Sequence, residues 1–327
     1  TTVSVDAVFT MTFNEVVTAQ TGDIRIRRYS DDALFETIPV GSVGGSGTNT
    51  ITFDPTFTFF GETGYYVDID ATAFDDLAGN SYAGIANKTI WNFVTQDVTA
   101  PWVTARNPLD NAVDVGVNVN LVLTFNESVV PVTGDIRIRR SSDNVIFETI
   151  AVTDGARVSG GGTNTIAINP DGTLDGQTSY YVEIDATGFD DLNGNSYPGI
   201  ANNWEWNFVT ADVDGPVVTN YNPADGAIVV GINADLVLTF DESVTVQTDS
   251  IYIKRTSDDS TFEAIPVTDG LRVSGGGTNT ITIDPSGTFA GETGYYVLMD
   301  ATALDDLAGN SYAGISGKTT WDFVTED

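Results

Sequence analysis

Three observations predict an all-β chain of tandem antiparallel sandwiches: apolar and polar residues alternate strictly over short runs, turn residues bound the runs, and the whole pattern repeats. Trp91, Trp206 and Trp321 stand 115 residues apart, as do Tyr65, Tyr180 and Tyr295 and also Asn80, Asn195 and Asn310. The interval falls to 112 between Phe13 and Phe125, which places a three-residue shortening in the first copy near Val40–Gly47. The copies run 1–96, 97–211 and 212–327, and the last residue, Asp327, aligns with Asp97 and Asp212. Thr1 aligns with Val113, so the first copy lacks the counterpart of Pro101–Asp110.

Within a copy the elements follow in order, and the second shows them best. A leading strand is expected at Pro101–Ala105, closed by the turn signal Asn107-Pro108. Val119, Leu121, Leu123 and Phe125 then alternate with polar neighbours, followed by Ile136 and Ile138, and by short pieces near Glu148–Val152 and Arg157–Ser159. Ile166 and Ile168, then Tyr180, Val182 and Ile184, and finally Trp206 and Phe208 complete the set. The run Gly160–Gly162, with its counterpart Gly275–Gly277, reads as a β-turn before a strand rather than a phosphate cradle, because no Lys-Ser/Thr follows it. Seven or eight strands over about 100 residues is the pattern of a two-sheet, immunoglobulin-like β-sandwich.

The balance of 13 basic against 46 acidic residues gives a net charge of −33, which repels nucleic acid and anionic membrane surfaces and directs attention to divalent cations. Hydrophobic residues make up 41% of the chain, enough for a core in each copy. There is no cysteine and no histidine, which excludes disulfides, thiolate or imidazole zinc sites, cysteine nucleophiles and Ser-His catalysis. No apolar run reaches the length of a membrane span, so direct membrane insertion is not expected, and Thr1 opens no signal peptide, as expected of a mature or internal segment.

The ordered motifs Leu123-Thr-Phe-Asn-Glu127, Gly134-Asp135-Ile136, Thr178–Val182, Asp191-Leu192-Asn193-Gly194-Asn195 and Trp206–Thr210 resemble the bacterial Ig-like domain of the S-layer (SbsA) type. The resemblance covers all three copies. It implies tandem arrays on prokaryotic surfaces, as in surface-layer proteins, adhesins and extracellular fibres, and it implies no shared catalytic site.

Candidate metal ligands recur with the repeat: Asp70, Asp75, Asp76 and Asn80; Asp185, Asp190, Asp191 and Asn195; Asp300, Asp305, Asp306 and Asn310. Their spacing is not that of an EF-hand, and Asx turns around Gly-Asn account for the same residues, so calcium and turn chemistry both stay open. At the junctions, Asp97 in the first and Asp212 with Asp214 in the second are candidate ligands of a clamping Ca²⁺; a plain linker is the other reading. So short a connection with proline restricts domain swing. A glycosidase dyad is disfavoured because nearly every acidic cluster occurs three times, whereas a catalytic cleft breaks the repeat.

Phe57 and Phe60 of the first copy replace Gly172 and Asp175, and Gly287 and Ala290, so the first copy carries a candidate assembly interface, the alternative being repacking around Phe59. Its missing first strand has two explanations: the residues exist upstream of this segment, or a neighbouring subunit donates a strand and builds a head-to-tail filament. The expected role is therefore structural, a surface fibre, filament subunit or stalk with self-association. An adhesin that grips a glycan or protein receptor is the alternative, with Phe57 and Phe60 or Trp204 and Trp206 as its aromatic platform.

Overall fold

The computed structural model describes residues 1–327, and each copy is a two-sheet sandwich. In the first, one sheet orders its strands Thr2–Val3, Asn92–Thr95, Gly64–Ile69, Asp23–Arg28, Leu34–Pro39; the other orders Thr48–Phe53, Phe9–Ala19, Phe74–Asp76. The second copy repeats this with Ala112–Val115, Asn207–Thr210, Ser179–Ile184, Asp135–Arg140, Ile146–Ala151 facing Val158–Ser159, Thr163–Ile168, Leu121–Pro131 and Phe189–Asp191. It adds Val103–Asn107, antiparallel to Leu121–Pro131, with Asn107 opposite Val122 and Val103 opposite Phe125. The third copy has the same complete set, including Val218–Asn222 against Leu236–Val246.

The leading strand thus lies slightly later than Pro101–Ala105, and a short strand follows it that alternation alone did not reveal. That strand, Ala112–Val115, pairs parallel with Asn207–Thr210, as Thr2–Val3 does with Asn92–Thr95 and Ala227–Val230 with Asp322–Thr325. Four residues are too few to show periodicity.

Alternation places one row of each strand in the core. Leu121, Leu123 and Phe125 are at most 1% exposed, and Leu236, Leu238 and Phe240 match them. Each copy is pinned by a tyrosine whose hydroxyl accepts a backbone N–H five residues earlier: Tyr65 from Phe60 at 3.2 Å, Tyr180 from Asp175 at 3.0 Å and Tyr295 from Ala290 at 3.0 Å. Trp206 and Trp321 are fully buried, and their Nε1–H groups donate to the carbonyls of Pro108 and Pro223, each at 2.8 Å. A buried indole needs such an acceptor, and the turn after the leading strand supplies it.

The first copy has no strand where Val103–Asn107 and Val218–Asn222 lie in the others. Phe9–Thr12 pairs on one side with Thr50–Phe53, the opposite side of Thr10–Phe13 is uncovered, and Met11, Phe13, Tyr82 and Trp91 are only half-buried. Their counterparts Leu123, Phe125, Tyr197 and Trp206 are buried.

Candidate metal centre

The acidic residues that look alike in the sequence fall into three environments. Asp70 and Asp185 face arginine: Arg25 Nη1 lies 2.6 Å from Asp70 Oδ1, and Arg137 Nη1 lies 2.7 Å from Asp185 Oδ1. These pairs hold both carboxyls below the usual Asp range, the guanidinium hydrogen bond being the main cause. In the third copy Tyr252 stands where Arg25 and Arg137 stand, and Asp300 is exposed. At the repeat position of Asp75, Asp190 and Asp305, Asp305 Oδ1 accepts from Ser311 Oγ at 2.7 Å, whereas Asp190 Oδ1 is buried with no partner.

Asp76, Asp191 and Asp306 close the turn. Asp191 Oδ1 accepts the backbone N–H groups of Asn193 and Asn195, each at 2.8 Å, and its Oδ2 accepts from Asn195 Nδ2 at 2.7 Å. The same bonds join Asp76 with Asn80 and Asp306 with Asn310. These three asparagines therefore brace the turn with their amide nitrogens. Asp191 and Asp306 are 2% and 3% exposed; burial pushes their carboxyls up, but the bonds from Asn195 and Asn310 outweigh it and leave both lowered.

Two acidic triads emerge. One oxygen each from Asp97, Glu127 and Asp191 lies within 4.8 Å of the others, and Asp212, Glu242 and Asp306 form the equivalent group. Antiparallel pairing of Val129 with Asp191, and of Val244 with Asp306, carries each glutamate to the turn. The junction aspartate arrives as the chain enters the copy, where Asn195 Nδ2 also donates to the Asp97 carbonyl at 3.3 Å. Burial first, then the negative charges of Asp306, Asp212, Asp241 and Asp214, push the Glu242 carboxyl up. Asp214 itself is exposed and adds its charge from outside the triad. Carboxylate oxygens gathered this way, one of them buried, are a donor set suited to a hard divalent cation.

The structure thus brings together Asp97 with Asp191 and Asp212 with Asp306, but does not gather any of the three recurring Asp-Asn sets as one ligand set. It adds Glu127 and Glu242, whose signal was their recurrence with Glu15 at one repeat position. Of the aromatic candidates, Phe57 and Phe60 are 63% and 64% exposed beside Phe35, with ring centroids 6.5 and 6.4 Å away. Trp204 is 68% exposed, but Trp206 is a core residue, so the pair is no platform. Two residues apart in a strand approach share a face; here Trp204 lies in the preceding turn and alternation does not reach it.

A family model described as a bacterial Ig-like domain matches residues 1–95, 97–210 and 212–325. A search of curated proteins finds no match. Among solved structures, the chain is similar to the I-band fragment I67-I69 from titin, at 11% identity over 98% of each chain with a TM-score of 0.35. It is similar to the extracellular domains 3-5 of Drosophila OTK, at 10% identity over 100% of this chain and 93% of that one, with a TM-score of 0.21. It is also similar to the S-layer protein rSbsC(31-844), at 13% identity over 90% of this chain and 51% of that one, with a TM-score of 0.22.

Proposed function

The chain belongs to the bacterial Ig-like domain family, in three tandem copies, and from that premise we propose a structural protein of the prokaryotic cell exterior that builds a fibre, stalk or surface-layer element. The carrying observation is that the elaborated features recur: the tyrosine hydroxyl on the backbone in all three copies, and the buried indole on its proline carbonyl and the acidic triad in the second and third. Repetition suits a module that extends an array, whereas catalysis needs one specialised site; the proposed role is not enzymatic.

In this reading each triad holds Ca²⁺ where a copy begins. Within residues 1–327 the edge at Thr10–Phe13 is uncovered; a strand added there from a neighbouring subunit propagates the array head to tail, whereas one from the same polypeptide closes the first copy. A second reading, an adhesin that grips a glycan or protein receptor, is favoured by the exposed Phe57 and Phe60 of the first copy. Electron microscopy of the protein in calcium-containing buffer separates the two. Uniform fibres with a regular subunit repeat are the expected result, and dispersed single particles at high protein concentration would overturn the self-assembling form of the proposal.

A further inference from the structure

The second and third copies each contain an embedded ion pair. Arg157 Nη1 lies 2.5 Å from Glu148 Oε1, and the same arginine meets Asp154 at 2.9 Å and Asp171 at 3.2 Å. Arg272 pairs in the same way with Glu263 and with Asp269. The glutamate side chains are 13% exposed in both copies and the arginines 20% and 21%. Backbone N–H groups also point at these carboxylates, from Asp171 at 3.2 Å and from Ser286 at 3.1 Å.

The first copy keeps the acid and loses the base. Glu36 occupies the position of Glu148 and Glu263 and is 9% exposed. Its oxygens accept from Thr56 N at 2.9 and 3.0 Å and from Phe57 N at 3.3 Å, but it joins no ion pair. The three-residue shortening removes the counterpart of Asp154 and leaves Ser42 where Arg157 and Arg272 stand. In the space lies a cavity of about 360 Å³ lined by Glu36, Ser42, Thr52, Asp54, Thr56 and Val8 among others. A neighbouring cavity of about 270 Å³ shares Val8, Asp54 and Thr56 and extends to Phe57.

Glu36 rests on backbone donors alone, where Glu148 and Glu263 have an arginine as well. A planar guanidinium restores the missing charge with paired, charge-assisted hydrogen bonds, and its stem packs on apolar or aromatic surface as it leaves the pocket. We propose that this cavity is a binding site for a guanidinium group, presented by an arginine side chain of another polypeptide. The other copies show the chemistry of the occupant, because each fills the same place with its own arginine. A second copy of this chain is a poor donor: of its ten arginines, Arg25, Arg27, Arg28, Arg137, Arg139, Arg140, Arg157 and Arg272 already pair with carboxylates. A basic partner also complements the net charge of −33.

The test titrates Nα-acetyl-arginine amide, and in parallel an arginine-containing peptide, into the full chain, with Nα-acetyl-lysine amide as comparison. Saturable binding at one site is expected, weakened about tenfold by Glu36→Gln and weaker for the lysine compound, whose ammonium cannot pair in the plane. Ser42→Arg places a guanidinium within reach of Glu36 from the chain itself and is expected to abolish binding and raise the melting temperature. This variant decides the matter should Glu36→Gln fail to fold. Tighter binding of the peptide than of the amide supports a polypeptide donor; equal binding overturns that part of the proposal. Absence of saturable binding, or binding that Ser42→Arg leaves unchanged, overturns the site.

Discussion

Glu127 and Glu242 carry the sharpest consequence of single residues. Each brings a charge to two aspartates already in place, and for Glu242 burial and the surrounding carboxylates disfavour the ionised form. Without a cation the triad is repulsive, and with one the repulsion becomes coordination. The effect of removing this charge therefore changes sign with calcium. In EDTA, Glu242→Gln is expected to leave the melting temperature unchanged or raise it; in excess Ca²⁺ it is expected to forfeit the increment that the ion gives the parent chain. At a calcium concentration 100 times the dissociation constant that increment is about 2.7 kcal/mol, and a domain of about 100 residues shifts by roughly 10–20 °C. Calorimetric scans of both proteins in both buffers check this, and identical scans of the parent chain with and without calcium would remove the ion from the account.

The same eleven-residue strand has neighbours on both sides in every copy, but in the first its segment Thr10–Phe13 is paired on one side at most. Leu121–Pro131 and Leu236–Val246 lie between neighbours on both sides, so Leu123 and Leu238 are fully buried, while Met11 at the same position of Phe9–Ala19 is half-buried. A charge at an open edge is tolerated and blocks strand addition, whereas a charge in a closed core unfolds it. Met11→Lys is therefore expected to abolish fibre growth at a smaller cost in stability than Leu123→Lys, because Met11 packs against the core while only half-buried. Leu123→Lys is expected to cost more than about 3 kcal/mol in denaturant titration. Fibres that persist in Met11→Lys would count against this edge as the point of assembly. The long strands and their core rows were legible in the sequence because Val119–Phe125 alternates over a full strand length. The triads were not, because Glu127 and Asp191 are joined only by the pairing of Val129 with Asp191, a register that no local pattern states. The shortened loop was legible as a length difference, but its effect on Glu36 appears only when Arg157 is seen to fill the same place in the next copy.

Across the whole chain, similarity of sequence conceals unequal packing. Each complete copy closes its buried indole with a proline carbonyl and pairs its half-buried glutamate with arginine, while in the first copy Trp91 is half-buried and the buried Glu36 is without a counter-ion. Period and composition predict three alike domains, since they count residues and not the neighbours that cover them. Local opening follows buried contacts and protected hydrogen bonds, so the copies are expected to exchange amide protons in a fixed order. In hydrogen exchange of the dispersed full chain, Phe9–Ala19 is expected to lose protection before Leu121–Pro131 and Leu236–Val246, with Thr10–Phe13 fastest. Ser42→Arg is expected to slow exchange in Leu34–Pro39 and Thr48–Phe53, which bound the cavity, and to leave the edge at Thr10–Phe13 unchanged, because the missing cation and the missing strand lie on opposite sides of Phe9–Ala19. Equal protection in all three copies would mean that the uncovered edge and the cavity beside Glu36 cost the first sandwich nothing, and would remove the reason for either to seek a partner.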